Sequence, residues 1–270
     1  MKFSVVIPLY NKELSIGNTI ESVLAQTYQD FEILVVNDGS TDRSVEAVQK
    51  ILDDRIKIID KSNEGVSATR NRGIDEAKYE WIAFLDGDDI WEENHLAEIV
   101  KMSKMFPQAD MFATSFKYSD NRPIVFKKTE IRLVLDYFDE CLDDHLIWTS
   151  IFVARKDCFK YEKFDTSLSL GEDLELWGRL VKKFEFVKSP SITATYRLDA
   201  ENRSARKRYN LSRSFLLNLD FSKMGSESER IYYRRQLGQI FKNSIVNRDW
   251  KVSLRLFFKF PNNLIKSLIS

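Results

Sequence analysis

The first hundred residues alternate between short apolar runs and segments with helical periodicity, and this alternation constrains the fold more than any other feature. The apolar runs predict strands at Phe3–Pro8, Phe31–Val36, Ile56–Asp60 and Trp81–Leu85. Helical periods lie between them at Leu14–Gln26, Ser44–Leu52 and Ser67–Ala77. Strands that are apolar throughout and are separated by helices form a parallel sheet covered on both faces. The sequence therefore predicts an α/β fold with a Rossmann-like, mainly parallel sheet.

The remainder of the chain is less regular and ends in a helical region. Strands are predicted at Asp110–Tyr118, Trp148–Ala154 and Ile192–Tyr196, and an amphipathic helix at Gly171–Lys183. From Tyr209 onward the pattern is helical to the end. We therefore predict an α/β domain at 1–202, with halves at about 1–105 and 106–202, and a helical C-terminal extension at 203–270.

Charge divides the chain at the same place, although the net charge is zero. Residues 203–270 carry 15 Lys and Arg against 4 acids, which leaves 26 basic and 37 acidic residues in 1–202. An acidic body is typical of a cation-binding site, and a basic tail is typical of binding to a polyanionic surface.

We expect neither a secreted nor a membrane-spanning protein. No stretch approaches the roughly 18 uncharged apolar residues of a spanning helix. The N-terminal run MKFSVVIPLYNKE is too short and too early interrupted for a signal peptide. Two cysteines, Cys141 and Cys158, are too few for a disulfide framework. These observations predict a cytoplasmic protein.

Asp38 directly follows the second predicted strand, at the sheet edge where ligands of such folds bind. In dinucleotide-binding folds an acid here binds a ribose, but that site also needs a G-x-G-x-x-G turn after the first strand. The segment there, PLYNKELSIG, has only Gly17, which argues against NAD or FAD. Asp38 can accept a hydrogen bond from a base or ribose, or can serve as the turn-forming residue of NDGS.

The segment LDGDDIW places Asp86, Asp88 and Asp89 together directly after the fourth strand. Carboxylates this close repel one another unless a cation neutralises them, and oxygen ligands suit Mg²⁺ or Mn²⁺. The alternative is that Asp88 or Asp89 caps a helix at Glu92–Met105. One cap needs one acid, so three acids favour a metal.

Two other polar segments follow predicted sheet strands. The segment GEDLELWGRL places Glu172, Asp173 and Glu175 on the first turn of a predicted helix. The helix dipole favours acidic residues at this position even where they have no function. NEGVSATRNRG brings Arg70 and Arg72 to a helix start, where phosphate binding is physically reasonable and two surface arginines are the alternative.

Three segments together resemble, in order, the signatures of family 2 glycosyltransferases. They are SVVIPLYNKELSIGNTIESVLAQTYQDFEILVVNDGSTDRS, NEGVSATRNRGIDEAKYEWIAFLDGDDIW and GEDLELWGRL, and the resemblance covers about residues 1–200. It implies a GT-A fold, a nucleotide-sugar donor and inverting transfer of a sugar. The residue types agree, because a departing nucleoside diphosphate needs a cation and an attacking hydroxyl needs a base.

The resemblance also implies roles for individual residues. Asp173 would be the catalytic base, Asp88 the ligand of Mn²⁺ or Mg²⁺, and Glu172 a neighbour of the acceptor or the base. The nucleotide would contact these residues: Pro8, Leu9, Tyr10, Asp38, Arg70 and Asp86.

Three more residues are candidates around the acceptor or the metal. His145 and Trp148 precede a predicted strand in the half where an acceptor would bind. Asp199 stands in Tyr196-Arg197-Leu198-Asp199, at a position where relatives often carry His, and it would lie near the metal or the phosphates.

The resulting hypothesis is a hexosyltransferase-type enzyme that uses a nucleotide sugar, most simply a UDP-sugar, and modifies a glycan acceptor. The family's habits suggest a lipid-linked intermediate of surface polysaccharide biosynthesis. The chain lacks the Q-x-x-R-W motif of processive synthases, so single-sugar addition is favoured. A sugar nucleotidyltransferase and a non-catalytic nucleotide- or glycan-binding relative are the alternatives. No nucleic-acid partner is expected.

The basic tail contains a helix with a cationic stripe. Lys251, Arg255 and Lys259 recur every four residues beside Trp250 and several Phe, and Pro261 should end or kink the helix. A basic helix with aromatic residues fits an anchor on the anionic inner face of the cell membrane. A helix that packs on the body with its Lys stems along the surface is equally consistent.

Overall fold

A computed structural model describes residues 1–124, 127–202 and 213–269, and they form a mixed sheet surrounded by helices. The strands are β1 (Phe3–Leu9), β2 (Phe31–Asn37), β3 (Ile56–Asp60), β4 (Trp81–Phe84), β5 (Ile90–Trp91), β6 (Met111–Tyr118), β7 (Arg132–Leu133), β8 (Phe152–Arg155) and β9 (Phe186–Tyr196). The helices are α1 (Ile16–Leu24), α2 (Ser44–Gln49), α3 (Val66–Glu76), α4 (His95–Met105), α5 (Tyr137–Glu140), α6 (Glu172–Leu180), α7 (Glu227–Val246), α8 (Trp250–Lys259) and α9 (Pro261–Ile269).

The strand order is β3-β2-β1-β4-β8-β6-β9-β5, with β7 paired to β9. Strands β1 to β4 are parallel, whereas β8 runs antiparallel to both β4 and β6. The carboxyl ends of β1, β2 and β4 therefore lie at one edge, as the alternation of strands and helices predicts. The predicted α/β fold is confirmed.

The central strand β1 is covered on both faces because its consecutive residues from Phe3 to Ile7 are all fully buried. Helix α3 approaches it so closely that a Cβ built on Gly73 would lie 2.3 Å from a methyl group of Val6. Only glycine allows this contact without a shift of the helix. The contact fixes α3, and with it Arg70, against the sheet.

The later strands differ from their sequence predictions. Strand β9 begins at Phe186, six residues before the predicted start at Ile192. The polar run around Lys188 concealed this part, but the Lys188 ammonium is buried and donates to the carbonyls of Thr114 and Leu146. The predicted strand Trp148–Ala154 is a 3-10 turn at Thr149–Ile151 followed by β8.

The C-terminal helices pack on the body and on one another. Tyr232 and Tyr233 of α7 each contact Phe138 with ring centroids 5.7 Å apart, and Glu229 pairs with Lys182 at 2.5 Å. The sequence predicted helix from Tyr209 onward, but residues 213–226 form loops and short turns, and the first helix of this region, α7, begins at Glu227. Residues 209–212 lie outside the described residues. Pro261 ends α8, as predicted. None of the described helices has the length and apolarity needed to cross a bilayer.

Candidate active site

A cavity of about 700 Å³ opens where the loops after β1, β2 and β4 meet the N-terminus of α6. Most of the predicted site residues line it: Pro8, Leu9, Tyr10, Asp38, Arg70, Asp86, Asp88, Glu172 and Asp173. The fold therefore gathers residues from both halves of the predicted α/β domain around one space.

Asp38 forms hydrogen bonds with the loop before α3, which lines one side of this cavity. Its carboxylate accepts hydrogen bonds from the backbone N–H groups of Glu64 and Gly65, both at 2.9 Å, and pairs with the Lys61 ammonium at 2.5 Å. Gly65 has a φ of 93°, a left-handed conformation that favours glycine. Asp38 thus holds the loop that leads into α3, and its contact with a nucleotide base stays a prediction.

Arg70 joins the two sides of the cavity. Its guanidinium donates to Asp86 at 2.7 Å and to Glu172 at 3.3 Å, and its side chain is only 6% exposed. The ring of Phe164 lies under it, 5.3 Å from the guanidinium carbon. Arg72, in contrast, is half exposed and pairs with Glu76 on the surface of α3. The two arginines of NEGVSATRNRG therefore divide into one cavity residue and one surface residue.

The three aspartates after β4 have different surroundings. Asp88 pairs with the Lys12 ammonium at 2.6 Å, and burial raises the pKa of Asp88 while Lys12 opposes that shift. Asp89 is fully buried and accepts from the Ser150 hydroxyl at 2.7 Å, and burial raises the pKa of Asp89 well above its usual range. Helix α4 begins later, after Asn94, so neither Asp88 nor Asp89 caps it.

Asp173 lies on the first turn of α6 and faces the cavity. Burial, and then the negative charge of Glu172, raise the pKa of Asp173 to about 6, while Arg70 opposes the shift. Glu175 on the same turn instead pairs with Arg179 at 2.6 Å. The acidic turn therefore has two carboxylates at the cavity and one in a surface ion pair.

An aromatic cluster lies beside the cavity. Trp148 contacts the rings of Phe116 and Tyr196, each with centroids 4.8 Å apart, and Tyr196 lines the cavity. His145 is exposed and lies at the far side of Phe116, 6.3 Å between ring centroids. Aromatic rings next to a polar cavity offer a surface on which a sugar ring can stack.

The side chain of Asp199 points toward solvent. It is 67% exposed and pairs with Arg197 at 3.1 Å. The residue of this segment that reaches the loop after β1 is Glu201, whose carboxylate accepts from the backbone N–H groups of Leu14 and Ser15, both at 3.0 Å.

The chemistry of Asp88 fits a divalent cation that binds together with a donor. Its carboxylate is nearly buried and lines the cavity, and carboxylate oxygens are ligands that Mg²⁺ and Mn²⁺ prefer. Within the part of the chain that the structure describes, no three His, Cys, Asp or Glu side chains form a metal-binding group. Mg²⁺ and Mn²⁺ are commonly held by one or two carboxylates, with water and substrate phosphates completing the shell.

A family model described as glycosyl transferase family 2 matches residues 4–163, more than half of the chain. The chain belongs to this family. The match confirms the family resemblance and covers the first two of the three signature segments.

Relatives of the chain are named glycosyltransferases. GlyA of Streptococcus pneumoniae, named a glycosyltransferase, is 37% identical over 122 residues, which make up 44% of this chain and 17% of GlyA. EpsJ of Bacillus subtilis, named an uncharacterized glycosyltransferase, is 32% identical over 183 residues, 63% of this chain and 53% of EpsJ. The chain thus spans about half or less of the length of these relatives.

The fold has a counterpart among solved structures. The crystal structure of S. aureus TarS 1-349 in complex with UDP-GlcNAc superposes with a TM-score of 0.77 and covers 98% of this chain, which in turn covers 82% of that one. Sequence identity is 20%, so the similarity shows the fold. It confirms the predicted GT-A architecture with a helical C-terminal region.

Sequence reasoning missed the residues that hold the site together. Lys12 and Lys61 supply the cations for Asp88 and Asp38. The Ser150 hydroxyl accepts from the Asp86 N–H at 3.1 Å while it donates to Asp89, so it fixes the turn between them. Lys12 lies within the first signature segment, shortly after the end of β1, and a cation there could have been noticed from the sequence. Ser150 left no signal, because a serine before a strand is ordinary.

Proposed function

We propose that this chain is an inverting glycosyltransferase of the hexosyltransferase type, which moves one sugar from a nucleotide-sugar donor to a hydroxyl of a glycan acceptor. The observation that carries the proposal is the position of Asp173, a carboxylate with a raised pKa, in the cavity that Asp86 and Asp88 also line. A base on one side of the cavity and an acidic pair on the side assigned to the phosphates suit a single displacement at the anomeric carbon of the sugar.

Asp173 acts as the general base. At neutral pH a carboxyl group with a pKa of about 6 is ionised, yet it is more basic than an ordinary aspartate. The acceptor oxygen attacks the anomeric carbon and passes its proton to Asp173. The bond from that carbon to the diphosphate oxygen breaks in the same step, so the configuration inverts and no covalent enzyme intermediate forms.

The donor occupies the side of the cavity formed by β1, β2 and β4. Pro8–Tyr10 and the loop ordered by Asp38 receive the base, while Asp86, held by Arg70, faces the ribose. Asp88 would hold Mn²⁺ or Mg²⁺, which would supply positive charge to stabilise a departing diphosphate. A UDP-sugar is the favoured donor, and the UDP-GlcNAc complex of the structural neighbour TarS supports it.

The acceptor occupies the other side, between α6 and the aromatic cluster around Trp148. We assign residues 1–202 to catalysis and 203–270 to a basic extension that brings this side to its acceptor. A lipid-linked glycan intermediate of surface polysaccharide biosynthesis fits such an extension, because the acceptor then lies on a membrane. The protein would act at the cytoplasmic face of that membrane.

A donor screen tests the activity. The full chain is incubated with UDP-, GDP- and TDP-sugars and Mn²⁺ or Mg²⁺, and slow hydrolysis of the donor is followed by release of the nucleotide. We expect hydrolysis of at least one UDP-sugar that depends on the cation and is lost in Asp173→Asn. Release of pyrophosphate from a nucleoside triphosphate would instead indicate a nucleotidyltransferase. Nucleotide binding without turnover of any donor would contradict the proposed activity.

Helix α8 supports the membrane part of the proposal. Its buried face, with Val252, Leu256 and Phe260, packs against α7 and α9, but its other face leaves large apolar side chains exposed. These are Trp250 (59%), Leu254 (55%), Phe257 (50%) and Phe258 (76%). An exposed face of this size marks an interaction surface, and aromatic residues beside cations suit the headgroup region of an anionic bilayer.

The structure divides the cationic stripe into two parts. Lys259 donates to the Leu217 carbonyl at 3.0 Å and Arg255 to Asn218 at 3.4 Å, so both tie α8 to the segment that precedes α7 within the C-terminal extension. Lys251 is exposed beside Trp250. The helix therefore packs within the extension and presents an aromatic face at the same time.

Liposome co-sedimentation tests this surface without unfolding the helix. Trp250→Ser with Phe258→Ser removes exposed apolar area and should abolish binding to anionic liposomes at low salt, with the melting temperature unchanged. The matched control, Leu52→Ser, removes an apolar residue that is 95% exposed elsewhere and should bind like wild type. Equal binding of wild type and the double variant, or no binding by wild type, would rule out this surface as the anchor.

A further inference from the structure

Lys12 places a positive charge at the carboxylate assigned to the metal. Its ammonium donates to Asp88 at 2.6 Å and to the backbone carbonyl of Glu201, also at 2.6 Å. The side chains of Lys12 and Asp88 are only 12% and 14% exposed, so water screens this pair weakly.

The Lys12 ammonium is held by fixed surroundings. The backbone N–H of Lys12 donates to the Ser44 hydroxyl at 2.7 Å, which anchors the loop after β1. The Glu201 carboxylate accepts from Leu14 and Ser15, and the Asn202 side chain donates to the Tyr10 carbonyl at 2.8 Å. These hydrogen bonds hold the loop that carries Lys12 against the segment that carries the Glu201 carbonyl.

A divalent cation on Asp88 conflicts with this arrangement. A metal bound to the Asp88 oxygens would lie within a few ångströms of the ammonium, and like charges at that distance repel strongly in a partly buried site. Lys12 also lines the cavity that we assign to the donor, so its flexible stem can turn toward a diphosphate without leaving the site.

We propose that Lys12 is the resident counter-ion of Asp88, that the divalent cation displaces it, and that the released ammonium then binds the diphosphate of the nucleotide sugar. The inference rests on the proposed function, because it takes Asp88 as the metal ligand. It gives the departing diphosphate two cations, one brought by the donor complex and one belonging to the chain.

The test measures binding rather than turnover. Mn²⁺ affinity of the full chain without nucleotide is measured by water proton relaxation, and UDP affinity at saturating Mn²⁺ by calorimetry. Lys12→Met keeps the length of the side chain and removes its charge. It should bind Mn²⁺ about tenfold or more tighter than wild type, because the competing charge is gone, and should bind UDP about tenfold more weakly.

Two matched variants show whether position or net charge is responsible. Lys61→Met removes the same charge from the partner of another cavity carboxylate, Asp38, and its Mn²⁺ affinity should stay near wild type. Lys12→Arg keeps the charge and should not bind Mn²⁺ more tightly than wild type.

The outcomes separate the inference from the proposed function. A Lys12→Met protein with wild-type affinity for Mn²⁺, or with wild-type affinity for UDP at saturating Mn²⁺, overturns the role of Lys12 and leaves the metal assignment standing. Equal tightening in Lys12→Met and Lys61→Met also overturns it, since net charge alone would then explain the result. If wild type binds no Mn²⁺ even with UDP, the metal assignment and the inference both fail.

Discussion

The carboxylates on the proposed donor side and the proposed acceptor side of the cavity have different partners. On the donor side Asp38 pairs with Lys61, Asp86 with Arg70 and Asp88 with Lys12, at distances of 2.5 to 2.7 Å. On the acceptor side Asp173 shares the field of Arg70 with Glu172 and Asp86, and burial raises its pKa to about 6.

The difference separates two proposed kinds of work. Burial raises the pKa of Asp88, but there the Lys12 ammonium opposes the shift. A carboxylate that takes a proton must be more basic than usual, and burial beside another acid provides this at Asp173. Under the proposed function, the donor-side carboxylates bind and Asp173 accepts a proton.

The largest effect should come from Asp173→Asn, which keeps the shape and removes the proton acceptor. Turnover should fall by about 10² or more while UDP affinity stays near wild type. Steady-state kinetics and calorimetry measure the two quantities. Glu175→Gln on the same helical turn is the matched control and should retain activity, because Glu175 pairs with Arg179. A loss of UDP binding with unchanged turnover of bound donor would make Asp173 a donor-side residue.

The corresponding change on the donor side, Asp88→Asn, should act on binding. UDP affinity in Mn²⁺ should fall by about 10- to 100-fold, since a charged metal contact is lost, and affinity without Mn²⁺ should not fall. Calorimetry with and without Mn²⁺ measures this. Asp199→Asn, at a side chain that is 67% exposed, is the control and should behave like wild type. Equal Mn²⁺ dependence in wild type and Asp88→Asn would remove Asp88 from the metal site.

The raised pKa of Asp173 predicts the pH dependence of the reaction. Below pH 6 the base is protonated, so kcat/KM should fall by about tenfold per pH unit. A rate that stays flat from pH 7 to pH 5 would argue against Asp173 as the base.

The same shift predicts an effect on stability with a definite sign. The folded pKa of about 6 lies above the ordinary value of 3.8, so folding disfavours the ionised form. The contribution of Asp173 to the free energy of unfolding is therefore fully present below the pKa of this group in the unfolded chain, and it is lost as the pH rises through about 6. Asp173→Asn should raise the melting temperature, and by more at pH 8 than at pH 5, which thermal denaturation at the two pH values checks. A variant less stable than wild type at pH 8 would contradict the burial argument.

The smallest effect should come from the aromatic cluster on the acceptor side. Trp148→Ala removes a stacking surface and should raise the acceptor KM by about 3- to 10-fold. The rate of donor hydrolysis without acceptor is the control and should not change. If donor hydrolysis falls together with acceptor use, Trp148 supports the fold of the site and does not bind the acceptor.

Much of the site could be predicted because its residues lie at the ends of predictable elements. Asp38, Asp86 and Asp88 each follow an apolar strand, and the parallel order of β1, β2 and β4 brings strand ends to one edge. Asp173 is more remote, on the first turn of α6, and its role came from the family resemblance. The acidic N-terminus of a helix does not by itself distinguish Asp173 from Glu175.

The C-terminal helices show where pattern reasoning reaches its limit. Periodicity predicted a helix at Lys251–Lys259 and a break at Pro261, and both are present. The pattern left open which face of that helix is buried. Packing against α7 and α9 buries Val252 and Leu256 and leaves Trp250 and Phe258 exposed, a choice that depends on neighbours far along the chain.

The sequence by itself determined the order of β1 to β4 with the helices between them, the sheet edge where these strands end and the acidic residues placed there, because these follow from local periodicity and turn composition. Only the tertiary structure decided which cation meets which carboxylate. Lys12 and Asp88 are 76 residues apart, and Arg70 and Glu172 are 102 apart. Such pairs form because the order of strands in the sheet brings distant loops together. Burial in the same fold raises the pKa of Asp173 to about 6, which no local pattern could have indicated.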